Sequence, residues 1–160
     1  DNGNGTYGVE VDVHVTVTDK DGLVKGFATL AEAIAEANSN DGDYTTNTIT
    51  IKTDKMVEYT AGIVGVNSVF SKYSLVVEQG AILNLGTKAL YFSGTNVNKE
   101  YTLENYGTIN CGYLSGSSGS GIFINAGTIN CSSGSTSQIK TASINTNTGI
   151  IDFISKFINI

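Results

Sequence analysis

The sequence has no proline and no tryptophan, one histidine, one methionine and two cysteines. Two thiols with no histidine near them in the chain leave a zinc-type ligand set incomplete, so no metal centre is expected. Basic residues are also few: nine against fifteen acids, a formal charge of −6. Nothing here neutralises a row of phosphates, and nucleic acid is not an expected partner. No apolar run reaches the ~18 residues that a membrane-crossing helix needs, so no membrane span is expected. The numbering opens on Asp1 without a charged-then-apolar leader, and the expectation is a mature or excised segment of a secreted protein.

What the chain does have is Gly, Ser, Thr and Asn, the residues that join many short strands through tight corners. It also has a repeat. Leu103-Glu104-Asn105-Tyr106-Gly107-Thr108-Ile109-Asn110-Cys111 returns twenty residues later as Phe123-Ile124-Asn125-Ala126-Gly127-Thr128-Ile129-Asn130-Cys131. A fixed period of about 20 residues signals stacked units that bury their apolar faces only against neighbours. Aligned on the glycine, Val76-Val77-Glu78-Gln79-Gly80-Ala81-Ile82 fits the same frame upstream. Ile144 to Asp152 fits downstream if its turn is lengthened by two residues.

That alignment predicts two core columns, Val76 with Leu103 and Phe123, and Ile82 with Ile109, Ile129 and Ile151. A polar column of Glu78, Asn105, Asn125 and Asn145 falls at the bend, where the glycine is expected to supply a positive φ. Cys111 and Cys131 share one column. Strands stacked ~4.8 Å apart bring their Cα atoms within disulfide range, though in-register Cβ atoms stay wider than a bridge prefers. Buried free thiols and a disulfide both remain open.

Ahead of the repeat, Val9 to Thr18 alternates with five valines on one face, and Asp19-Lys20-Asp21-Gly22 turns the chain toward Leu23 to Phe27. His14 lies on the polar face of that strand and reads as a solvated residue. Thr29-Leu30-Ala31-Glu32 is a capping box, and Leu30, Ala33, Ile34 and Ala37 make one face of a short helix from Thr29 to about Asn38. Asp41-Gly42-Asp43 lacks the spacing of an EF-hand and reads as an acidic turn. Thr48 to Thr53 alternates as a first repeat strand, and Met56 to Asn67 supplies another corner and strand. Ser93 to Glu100 and the Ser/Gly run Ser115 to Gly121 read as insertions.

The passage Phe27-Ala28-Thr29-Leu30-Ala31-Glu32-Ala33-Ile34, followed by Thr48-Ile49-Thr50-Ile51, resembles the entry to right-handed parallel β-helix domains, the pectin-lyase-like solenoids of bacterial surface proteins and adhesins. The resemblance, which covers residues 27 to 160, implies an all-β, right-handed parallel β-helix. It is preceded by a β-strand region at residues 1–26 and plugged by one short capping α-helix. Of function the resemblance says little; the expectation is a non-catalytic, secreted or cell-surface module, adhesin-like, meeting a glycan or a surface protein. A remnant of a carbohydrate-active enzyme is the alternative. Ice binding through aligned Thr108, Thr128 and Thr148 is a third reading. The enzymes of this fold use clustered acids, but Asp54, Glu58, Glu78, Glu104 and Asp152 do not recur at the repeat period. No catalytic, cofactor-binding or metal-binding residue is therefore assigned, and no cofactor.

Overall fold

In the computed structural model the described residues are 12–39, 47–61, 64–67, 73–93, 101–117, 121–132 and 145–153. They are mostly β, with one short helix. Strands β1 (Val15–Thr18) and β2 (Val24–Phe27) form an antiparallel hairpin, and helix α1 (Leu30–Ser39) follows. The Asp19 carboxylate closes the hairpin turn, accepting from the Asp21 and Leu23 amides at 2.9 Å each.

From there the chain deals strands to three sheets in rotation. The first round is β3 (Asn47–Ile51), β4 (Met56–Glu58) and β5 (Val64–Asn67); the second is β6 (Tyr73–Val77), β7 (Ile82–Asn84) and β8 (Ala89–Ser93). The third is β9 (Tyr101–Asn105), β10 (Thr108–Cys111) and β11 (Tyr113–Ser117). Then come β12 (Gly121–Asn125) with β13 (Thr128–Cys131), and β14 (Asn145–Asn147) with β15 (Ile150–Phe153). Sheet one runs β14-β12-β9-β6-β3-β1-β2, sheet two β15-β13-β10-β7-β4 and sheet three β11-β8-β5. Every pairing between rounds is parallel, and only β1 joins its neighbours antiparallel.

Because strand side chains alternate, one set from each sheet turns inward and stacks on its equivalents. Ile49, Leu75, Leu103 and Phe123 form the inward column of sheet one. Val57, Leu83, Ile109 and Ile129 form that of sheet two, and Val64, Leu90 and Leu114 that of sheet three. All are buried. The helix follows its capping box. Thr29 Oγ1 accepts from the Glu32 amide at 3.3 Å, while the Glu32 carboxylate accepts from the Thr29 amide at 3.1 Å. Leu30, Ala33 and Ala37 are buried in the same core as β1 and β3, and Ile34 is half-buried against it. Asn47 Nδ2 ties β3 to the helix end by donating to the Ala37 carbonyl at 2.8 Å.

The register differs from the glycine alignment. Leu75, not Val76, stands in line with Leu103 and Phe123; Val76 is half-buried opposite Glu104. Leu83, not Ile82, takes the inner place, and Ile82 faces outward beside Thr108. Corner length is the cause. Four residues (52–55 and 78–81) join sheets one and two in the first two rounds, and two residues (106–107, 126–127, 148–149) in the later ones. Matching Gly80 to Gly107 slips both flanks by one position, and a one-residue slip turns every side chain to the other face. The same register removes Glu78 from the polar column, which runs Ile51, Val77, Asn105, Asn125 and Asn147. Asn145 pairs with Phe123 instead, so the last copy needs no lengthened turn, and Thr148 is a corner residue out of line with Thr108 and Thr128.

The glycines serve two purposes. Gly80 is left-handed, with a φ of 79°, and so is its counterpart in the first corner, Asp54, at 58°. Gly107, Gly127 and Gly149 are not left-handed; they are glycine because the round beneath is too close. A Cβ on Gly127 would lie 2.1 Å from the Gly107 carbonyl oxygen. Elsewhere, Val13 is exposed, so the five-valine face narrows to Val15 and Val17 among the described residues. Ser115 to Ser117 is part of β11, paired with Tyr91 to Ser93, and not an insertion. The Asp41-Gly42-Asp43 turn and residues 94–100, 118–120 and 154–160 lie outside the described residues.

This register predicts unequal costs for neighbouring truncations. Leu75→Ala should destabilise by about 2–5 kcal/mol in urea unfolding, and Val76→Ala by clearly less. Thr29→Ala should cost about 1 kcal/mol through its lost cap.

Candidate functional site

The corners between sheets one and two stack along one edge of the molecule. Where they shorten from four residues to two, Thr53, Val76, Glu78, Gln79, Tyr106 and Ala126 line a hollow of about 500 Å³. Each reaches it for a local reason. Val76 points outward because Leu75 and Val77 point in. Thr53, Glu78 and Gln79 belong to the longer corners, Tyr106 and Ala126 to the shorter ones.

Glu78 is the charged group of the hollow, and its carboxylate accepts three hydrogen bonds, which leaves it acceptor capacity. Oε1 accepts from Lys52 Nζ at 2.6 Å, and Oε2 accepts from the Thr53 amide at 2.7 Å and Thr53 Oγ1 at 2.8 Å. Partial burial pushes the carboxyl up, but these donors outweigh it and hold Glu78 below the usual carboxylate range. The Tyr106 ring is 41% exposed, and its hydroxyl donates to Glu104 at 2.8 Å. That bond, with some burial, raises the phenol above its ordinary value, so the hydroxyl stays protonated at neutral pH. Glu104 does not line the hollow and is tied to it through the Tyr106 hydroxyl.

The other acids are dispersed. Glu58 and Asp152 lie on the outer face of sheet two, at opposite ends of a column whose middle is Asn84, Asn110 and Asn130. Those amides bond in sequence, Asn110 Nδ2 to Asn84 Oδ1 at 2.5 Å and Asn130 Nδ2 to Asn110 Oδ1 at 2.7 Å. Asp54 is exposed on the first corner. His14 Nε2 lies 3.0 Å from Asp12 Oδ2, and Lys55 Nζ donates to Asp12 Oδ1 at 2.5 Å. Lys55 first and His14 second hold the Asp12 carboxyl below its ordinary range. Among the described residues no three His, Cys, Asp or Glu side chains gather as a metal site would require, and no helix is long and apolar enough to cross a membrane.

No protein-family model, curated protein or solved structure matches this chain. The hollow therefore stands on its own geometry. Reading for acids alone singled out Glu78 but passed over Thr53, Gln79 and Tyr106. The usable signal was the contrast between Asn105-Tyr106-Gly107 and Asn125-Ala126-Gly127, where one exposed corner carries an aromatic ring and its repeat does not.

A pH experiment checks the state of Glu78. A carboxyl whose folded pKa is depressed stabilises the protein above its unfolded pKa, near 4.5, and that stability is lost as pH falls through the folded value. The melting-temperature difference between wild type and Glu78→Gln should be level around neutrality and should shrink as the pH drops below about 4.5.

Proposed function

We propose that the chain is a right-handed parallel β-helix acting as a non-catalytic, secreted or cell-surface module that contacts glycans through the corner hollow. Strands dealt in rotation to three parallel sheets, with in-register apolar columns, support the fold. The capped helix and the antiparallel β1 act as the plug of its first round. A terminal plug of this kind is what stacked repeats need.

The observation that carries the functional reading is the Tyr106 ring standing exposed beside Glu78, Gln79 and Thr53. A sugar offers an apolar ring face and a rim of hydroxyls, and this lining offers an aromatic face with a carboxylate, an amide and a hydroxyl around it. Glycoside hydrolysis asks for more: two carboxyl groups flanking one bond, one of them protonated near neutral pH. Glu78 is held ionised by Lys52 and Thr53, which suits accepting hydrogen bonds and not donating a proton.

Purified protein screened on a glycan panel should bind one class weakly, and Tyr106→Ala should reduce that binding about tenfold. Incubation with polysaccharides should yield neither new reducing ends nor unsaturated products. Turnover that disappears in Glu78→Gln or Glu104→Gln would replace this reading with that of a carbohydrate-active enzyme.

A further inference from the structure

Cys111 and Cys131 are register partners at the ends of β10 and β13, both buried and both in the thiol form. Their sulfur atoms lie 3.7 Å apart. In-register parallel strands hold Cα atoms ~4.8 Å apart, inside the roughly 4.4–6.8 Å range that disulfides span. Closure to about 2.05 Å asks for rotation of both side chains and a slight inward tilt of two strand ends. Each cysteine is the last residue of its strand, and the rounds stay bonded just beyond it, the Ser132 amide donating to the Cys111 carbonyl at 2.9 Å and the Gly112 amide to the Lys88 carbonyl at 2.8 Å, so side-chain rotation supplies most of the closure. The pair is not among the residues that line the corner hollow.

We propose that Cys111 and Cys131 form a redox-controlled disulfide that clasps the third round of the structure to the fourth. The oxidant is a small-molecule disulfide. The thiolate of one cysteine attacks an oxidant sulfur, forming a mixed disulfide and expelling one small thiolate. The second cysteine, as thiolate, attacks the protein sulfur of that mixed disulfide and expels the other. The protein loses two hydrogens, and the oxidant is reduced to two thiols.

Access sets the rate. Both sulfurs are buried out of an oxidant's reach, and the Cys131 sulfur, then burial, push the Cys111 thiol far above its ordinary range. Reaction passes through an opened state, either during folding or when the later rounds loosen. Cys131 lies on the outer of the two strands, with only β15 beyond it in sheet two, and is exposed first. The clasp does not depend on glycan binding.

The test uses the whole chain, reduced and then equilibrated with glutathione disulfide and glutathione, both folded and after refolding from urea. Thiols are counted by maleimide labelling under denaturing conditions. Refolded chain should lose both thiols within one molecule, show a linked 111–131 peptide, and melt roughly 5–10 °C higher. Reductant should reverse the shift. Folded chain should reach the same product more slowly, and faster in mild urea. Cys131→Ala should give no shift, and Cys111→Ala should match it. Should the refolded wild type retain both thiols at an oxidant ratio that bridges an unstructured dithiol peptide, or pair them only between chains, the clasp is ruled out.

Discussion

An in-register parallel ladder stands each side chain on its equivalent in the next round, about 4.8 Å away. Apolar columns satisfy this readily, since leucine packs on leucine. A buried polar residue can satisfy it only if its neighbour in the column bonds to it. The bend column shows the consequence. Asn105 Nδ2 donates to Asn125 Oδ1 at 2.8 Å, and Asn125 Nδ2 donates to Asn147 Oδ1 at 2.8 Å. Asn105 Nδ2 also reaches the Thr128 carbonyl at 3.1 Å, and Asn125 Nδ2 the Ile150 carbonyl at 3.3 Å. Each amide therefore binds both its own kind and the residue just past the corner of the following round. The column begins as Ile51 and Val77, and the corners there are two residues longer. Asparagine and the short corner enter together at Asn105. The switch leaves one defect, because Asn105 has Val77 as its column neighbour in the earlier round and its Oδ1 has no hydrogen-bond partner in the structure. An orphaned buried acceptor costs about 1–3 kcal/mol, offset here by the bonds that the ladder gains further along.

The short corner in turn dictates its glycine. With only two residues to turn in, the backbones of successive rounds touch. The Ala126 and Gly127 amides both donate to the Asn105 carbonyl, at 2.8 and 3.0 Å, leaving no room for a Cβ. This is why the Asn-x-Gly spacing, and not a left-handed turn, is what recurs. The longer corners need a left-handed residue, met by Asp54 and Gly80. Two different constraints both selected glycine, and a one-letter alignment on glycine merges them.

That merger explains how far the sequence could be read. The 20-residue match of residues 103–111 and 123–131 contains its own register, and there every expected pairing, including Cys111 with Cys131, is found. The capping box at Thr29 and Glu32 was equally legible, because a cap is local chemistry. Val76 and Ile82 were misplaced because corner length is not written in any single residue. The hollow was legible only in part for a related reason. Its lining comes mostly from corners 20 or more positions apart, and the bonds that hold Glu78 from Lys52 and Thr53 run between rounds. Outward positions are also under little packing constraint, so periodicity says nothing about them.

One end of the stack is closed by direction as well as by burial. A parallel sheet can extend by adding another strand in the same sense, which makes a bare first strand a template for other chains. β3 is denied that role by β1, which pairs Val15 with Ile51 and Val17 with Ile49 in the opposite sense. β2 turns back to the sense of β3, but Lys25 on it pairs with Glu36 of the helix, placing a charge on the outermost strand. Sheet two ends on β4, three residues long, with Met56 and Glu58 exposed. Short strands, reversed strands and edge charge each interrupt the ladder by a different physical route. Because the antiparallel pair cannot continue the in-register columns, the periodic surface begins at β3, and the corner hollow lies where that surface first changes its own period.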